Sequence, residues 1–228
     1  MFAVDALTDY LQSIIRNPRY TITFREGRTS QVIQDVITQR SQVGIIFISK
    51  MTQKFMERTL RKNRLEFTEL FSYPPYVFMN TAHPLSKYDA LSIEQLAPYP
   101  YIQYTQEEDS YQFSEEIIIP DINPERAINI TDRSTLFSVI ASTDAYTIGT
   151  GILFRAWDYW PIVSIPMKNL LDIMRVGWIK SQTTTLSPTA RDYIEQLKNT
   201  LISRGVTLSE SAIPNTEGST NPNQSSDT

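Results

Sequence analysis

The sequence contains no cysteine and a single histidine, His83. It therefore has no disulfide, no thiolate metal ligand and no cysteine nucleophile, and the lack of thiols suits a reducing compartment. A three-histidine zinc site is excluded. A histidine-based triad has one candidate base, which sits in the turn His83-Pro84-Leu85, where a structural role is the simpler account. Long apolar runs are also missing, and nothing approaches the roughly 20 residues that span a bilayer. Residues 1–17 lack a basic n-region and are interrupted by Asp5 and Asp9, so they do not read as a secretory signal. The expectation is a soluble, cytoplasmic chain. Positive charge is in deficit as well: 21 Lys and Arg stand against 25 Asp and Glu, a net charge of −4, so the overall field opposes nucleic acid. The basic cluster Arg61-Lys62-Asn63-Arg64 reads as a helix end whose cations complement the dipole.

Catalytic signatures are equally scarce. There is no P-loop, no G-x-S-x-G and no H-E-x-x-H. Gly149-Thr150-Gly151 lacks the third glycine of a dinucleotide fingerprint, and Glu107-Glu108-Asp109 reads as a solvated turn rather than a metal cluster. We expect no enzyme activity, no cofactor and no metal site.

What is present is 228 residues with 41% hydrophobic content, enough for one or two compact units. Phe2, Ala6, Leu7, Tyr10, Leu11 and Ile14 recur at helical spacing. Tyr20–Phe24 alternates as a strand does, Val32–Ile37 has a helical stripe, and Val43–Ser49 is a continuous apolar run of the kind found in parallel sheets. This spacing predicts a β-α-β unit with a right-handed crossover. Further along we expect a helix over 51–62, strands at 65–71 and 76–80, and a capping-box helix from Ser92. Strands at 101–104, 127–131, 145–149, 162–165 and 173–180 follow, with helices near 110–119 and over 133–142. Ser187-Pro188 is an N-cap followed by a first-turn proline, opening a last helix to about Arg204. The end, rich in Ser, Asn, Pro and Thr, predicts a disordered tail over 206–228. Alternating strands and helices define an α/β class.

Two loop-to-helix junctions, Arg25–Ser30 and Thr131–Thr135, each bring hydroxyls and unpaired backbone N–H groups to a helix start. Such places favour carboxylates and other anions. The alternative is that Thr29 and Asp132 are helix caps and nothing more.

The order of these motifs resembles the effector-binding domain of LysR-type transcriptional regulators. Phe24-Arg25-Glu26-Gly27-Arg28-Thr29, the helix after it and Val43–Phe47 are similar to one family block. Val77–Leu85, ending in His-Pro-Leu, is similar to a second, and Leu91–Leu96 with Pro100–Tyr104 to a third. Thr131–Phe137 and Ala145–Ile152 look like a Firmicute branch of this bacterial family. The resemblance runs over about residues 2–204. It implies an α/β, type 2 periplasmic-binding-protein-like fold: two α/β subdomains with an intervening ligand cleft. Subdomain I would take residues 1–82 plus 167–205 and subdomain II residues 83–166. By position in the motifs, the resemblance implies effector contacts from Arg28, Thr29, Ser30, Tyr104, Thr105, Arg133, Ser134, Thr135, Thr147 and Thr150. The implied role is a small-molecule effector-sensing domain for transcription regulation. Its ligand would be a small anionic metabolite or amino-acid derivative, and it would assemble as a homodimer or homotetramer, with no membrane partner. DNA would be read only through the family's helix-turn-helix domain, which this sequence does not contain, and most of the family's first effector-domain strand is missing with it. The alternative is an extracytoplasmic solute-binding protein of the same fold.

Overall fold

A computed structural model describes residues 2–104, 126–153, 160–168 and 173–212. Helix α1 (Phe2–Ile14) buries Phe2, Asp5, Ala6 and Tyr10, which share one face at helical spacing. Helix α2 (Thr29–Ile37) leads to strand β1 (Gly44–Ile48), and α3 (Gln53–Lys62) to β2 (Leu65–Tyr73). Arg61 and Lys62 close α3, as the dipole favours. Then come β3 (Tyr76–Asn80), the short α4 (Ile93–Leu96) and β4 (Tyr101–Tyr104). After them lie β5 (Ala127–Ile130), α5 (Arg133–Ser142), β6 (Thr147–Gly149), β7 (Ile162–Pro166) and β8 (Met174–Ser181). Helix α6 (Pro188–Ser203) follows, and a 3-10 turn at Glu210–Ala212 ends the described chain.

The first sheet has the order β1-β8-β2, and both pairings are antiparallel. This corrects the expected β-α-β unit. Residues 20–24 take no regular structure, and β1 pairs with a strand from far along the chain instead of a parallel neighbour. Alternation alone does not make a strand; a hydrogen-bonding partner must lie alongside it. The expected helix near 110–119 falls outside the described residues.

The second sheet has the order β6-β3-β7, also antiparallel. Parallel β4 and β5 adjoin it through a bridge between Tyr101 and Tyr146. Strand β3 therefore belongs with β6 and β7, whereas the expected boundary at 82 assigned it to the first unit. The chain leaves the first sheet at Pro74-Pro75 and returns between β7 and β8. There the Met167 amide donates to the Pro75 carbonyl, and Leu91 bridges Met167.

Helices α1 and α6 cover one face of the first sheet. Tyr193 donates its hydroxyl to the Ala3 carbonyl at 2.9 Å, and Thr200 donates to Asp9 at 3.1 Å. The desolvated Tyr193 phenol is pushed well above its usual pKa. Ile33, Val36, Ile46, Met56, Leu60 and Ile179 pack α2 and α3 on the other face. Ser187 caps α6 by accepting from the Ala190 amide at 3.2 Å, with Pro188 in the first turn.

The expected tail begins too early. Val206 and Ala212 are buried, the Ser209 amide donates to the Leu70 carbonyl at 2.8 Å, and the Ser211 hydroxyl donates to the Glu69 carbonyl at 3.0 Å. Composition missed this because the anchoring groups are the polar residues themselves, bonded to β2. Ending the chain after Leu208 removes these bonds, a loss of about 2 kcal/mol. A thermal melt is expected to drop by about 4–8 °C, while ending it after Ala212 leaves the melt unchanged. Gly177, in the middle strand β8, has no room for a methyl group: a Cβ there meets the Phe67 ring and the Thr68 carbonyl oxygen. Gly177→Ala is expected to lower stability by about 1–3 kcal/mol in urea unfolding, with an unchanged m-value.

Candidate functional site

A cavity of about 420 Å³ opens at the edge of the first sheet. Gly44, Ile45 and Phe47 of β1, with Val43 just before it, line the cavity, as do residues 21–27. Phe2 and Tyr10 of α1 with Tyr193 of α6 close one side, and Gln31, Val32 and Asp35 of α2 close the other. Arg133, at the start of α5 beyond the second sheet, reaches the same cavity. The cavity is thus shared between segments that carry the first sheet and a helix that packs on the second.

Asp35 is buried and held by two partners. Gln31 donates to it at 3.2 Å, and the Arg40 guanidinium lies 3.5 Å away. The pairing stabilises a carboxylate that burial alone would penalise. Phe24 meets the edge of the Tyr193 ring, with centroids 6.3 Å apart, and this contact fixes the far wall against α6.

The ten residues singled out from the motifs distribute unevenly. Arg133 lines the cavity, and its guanidinium lies over the Tyr104 ring, 5.7 Å from the centroid. Arg28 is the residue before α2 and supplies no side-chain cap, while Thr29 is buried as the first helical residue. Thr29 is therefore not the cap that spacing suggested. Arg28, Thr29 and Ser30 sit beside the cavity wall, between Gly27 and Gln31, rather than in its lining. Ser134 and Thr135 are exposed on the first turn of α5. Thr147 spends its hydroxyl on the Ile102 carbonyl at 2.9 Å, tying β6 to β4, and Thr150 is buried. Thr105 lies outside the described residues. The cavity also draws on Arg25 and Glu26, part of the first junction, and on Asp35 and Arg40, which the sequence did not single out. Asp35 lies late in α2 and Arg40 just beyond it, where a charge looks like that of any surface residue.

The two helix starts differ chemically. Asp132 accepts from the Thr135 amide at 2.8 Å, and the Thr135 bonds hold its carboxyl below the usual range. The N-terminus of α5 thus already holds an anion. The first turn of α2 has no acidic residue, and Arg28 supplies no side-chain cap bond.

A family profile, the LysR substrate binding domain, matches residues 5–202. Among solved structures the chain is similar to the effector binding domain of QuiR in complex with shikimate. That match has 14% identity and a TM-score of 0.59, and covers 86% of this chain and 88% of that one. It is similar also to the BenM effector binding domain with its effector benzoate, with 14% identity, a TM-score of 0.59, and 90% and 87% covered. HinK, a LysR family transcriptional regulator from Pseudomonas aeruginosa, is matched at 12% identity and a TM-score of 0.60, over 87% of this chain and 65% of HinK. No curated protein matches the chain by sequence. The fold defines an α/β ligand-binding domain of the type 2 periplasmic-binding-protein kind. The chain belongs to the LysR substrate binding domain family, a family of regulatory effector-binding domains.

His83 is spent on structure. It is buried, its Nδ1 accepts from the Leu85 amide at 3.0 Å, and its Nε2 lies 3.1 Å from the Asp144 carbonyl, to which it donates. Desolvation lowers its pKa, partly offset by Asp144. Protonating Nδ1 removes the acceptor for Leu85. Because the folded pKa lies below the unfolded one, the unfolded chain binds the proton more readily. Stability is then complete above the unfolded value, about 6.5, and falls as pH drops through the folded value. Urea midpoints between pH 7 and pH 5 are expected to decline, and His83→Gln is expected to flatten that decline.

Proposed function

We propose that this chain senses a small carboxylate-bearing effector held between the start of α2 and Arg133. The observation that carries the reading is Arg133: a cation from α5 opens into a cavity otherwise built by α1, α2, β1 and α6. An Arg guanidinium binds a carboxylate through paired hydrogen bonds. Tyr104 orients the guanidinium from below. A ligand gripped from both sides favours the arrangement that brings them together, and this population shift is the signal a linked DNA-reading part would receive. Shikimate in QuiR and benzoate in BenM are both small carboxylates, which supports the chemical class.

The strand pairing supports a partition into one subdomain around β1, β8 and β2 and a second around β3 to β7. This moves the proposed boundary from 82 to Pro74-Pro75. The predicted effector contacts narrow to Arg28, Thr29, Ser30, Tyr104 and Arg133. A homodimer or homotetramer is the assembly the reading carries.

The test is a thermal-shift screen with benzoate, shikimate, amino acids and other organic acids. At least one carboxylate is expected to raise the melting temperature, since binding to the native state adds stability. Arg133→Gln is expected to weaken that ligand by about tenfold to a hundredfold, the worth of a hydrogen bond to a charged group. No shift from any acid, or an unchanged affinity in a folded Arg133→Gln variant, rejects the reading.

A further inference from the structure

Exposed positive charge concentrates on one helix. Over residues 50–64, Lys50, Lys54, Arg58, Arg61, Lys62 and Arg64 stand against the lone carboxylate of Glu57, in a chain of net charge −4. Lys54, Arg58, Arg61 and Lys62 of α3 are all exposed. Their spacing puts them on one stripe about 100° wide and about 12 Å long. Arg64 follows at the helix end and is exposed too. Among the described residues, Lys54, Arg58, Arg61, Lys62 and Arg64 form no ion pair. The nearby carboxylates have other partners: Gln53 donates to Glu57 at 2.8 Å, and Lys180 lies 2.8 Å from Glu66. This layout disfavours the helix. Like charges meet at Lys54/Arg58, Arg58/Arg61 and Arg58/Lys62, spaced as helical neighbours. The dipole favours Arg61 and Lys62, but Lys54 stands in the first turn, where a cation is opposed. Arg64 has φ 53°, a left-handed conformation that suits glycine and strains an arginine. Its carbonyl accepts from the Gln182 amide at 2.9 Å, which holds it there. Each of these features costs stability, and each keeps a cation on the same exposed face. Such costs point to a role outside folding.

We propose that the exposed face of α3 docks on the phosphate backbone of double-stranded DNA, without regard to sequence. A duplex carries one negative charge per about 1.7 Å of axis, so a stripe of about 12 Å lies along about seven phosphates. Arginine and lysine bond phosphate oxygens, and such contacts position a protein without specifying bases. The character of the face selects this partner over an acidic polypeptide. Between its cations α3 exposes no large apolar side chain, because Met56 and Leu60 are buried. Protein interfaces depend on apolar and aromatic anchors, which are missing here. Single strands are disfavoured for a related reason, since α3 exposes no aromatic ring on which bases could stack. The negative charge elsewhere on the chain repels the duplex, so binding is weak and confined to this face. The inference goes beyond effector sensing and does not depend on it.

The probes are two short fluorescent duplexes of unrelated sequence, titrated with the full chain and followed by anisotropy. Both are expected to bind equally, with a Kd of roughly 10–100 μM at about 50 mM salt, and the log–log salt slope is expected near about −4. The triple variant Arg58→Gln, Arg61→Gln, Lys62→Gln is expected to weaken binding by about tenfold or more and to bring the slope to about −1. A control triple variant, Arg16→Gln, Lys87→Gln, Lys168→Gln, removes the same charge outside α3 and is expected to keep the slope. Arg64→Gly separates folding from docking: relief of strain is expected to raise the urea midpoint, while duplex affinity falls about threefold. Four outcomes overturn the proposal. One is no binding of either duplex at low salt. Another is unchanged affinity in the folded α3 triple variant. A third is an equal loss in the control variant, which reduces the effect to net charge. The fourth is tighter binding of a poly-glutamate peptide of the same charge, which assigns the face to an acidic protein.

Discussion

The antiparallel pairing of β8 with both β1 and β2 is the constraint on which the rest of the structure depends. Residues 174–181 come back from beyond the second sheet and enter the middle of the first. Without them β1 and β2 share no edge, and their apolar residues have no common surface to cover. The return also forces the chain to cross between sheets twice, at Pro74-Pro75 and again before Met174. The Met167–Pro75 bond holds those crossings together. Gly177 shows how closely the middle strand is packed, since even a methyl group meets backbone there. Arg175 adds a second tie, donating to Glu69 at 2.6 Å; Glu69 in turn accepts from Ser209 at 3.0 Å. The end of the chain is therefore fastened to the same sheet.

The functional geometry follows from where that sheet stops. β8 satisfies one edge of β1 and leaves the other edge open. Residues of α1, α2 and α6 line the open cavity beside β1. Arg133 belongs to α5 and enters this space only because the double crossing brings the second sheet alongside the first. A regulatory domain gains from such an arrangement. A ligand bound there would touch elements of both sheets, which also share one packed core, so occupancy and relative position would be linked.

The site was less legible than the fold. Motif order pointed to Arg133 and Tyr104, which do meet. It pointed also to Thr147, whose hydroxyl bonds a neighbouring strand, and to Thr135, whose backbone amide is taken by Asp132. A hydroxyl near a helix start looks the same in sequence whether it faces a ligand or a carbonyl. Asp35 and Arg40 escaped notice for the opposite reason. They lie in and after a helix whose stripe marks Val32, Ile33, Val36 and Ile37 as the buried face, and Asp35 is carried inward with them.

The sequence by itself determined the local elements. The stripe of α1 determines its buried face, Ser187-Pro188 the start of α6, and Arg61-Lys62 the end of α3. Each depends on side chains within a few positions of one another, so pattern and physics coincide. Tertiary structure decided everything that needed a distant partner. Tyr20–Phe24 has the alternation of a strand and takes no regular structure, because none of the described strands pairs with it. Val43–Ile48 has the apolar run of a parallel strand and pairs antiparallel, because β8 arrives from more than a hundred residues away. Ser209–Ala212 has the composition of a loose tail and is fixed, because Glu69 and Leu70 present the bonding groups it needs. Local propensity sets what a segment can become, and hydrogen-bond partners brought together by the chain's path decide what it is.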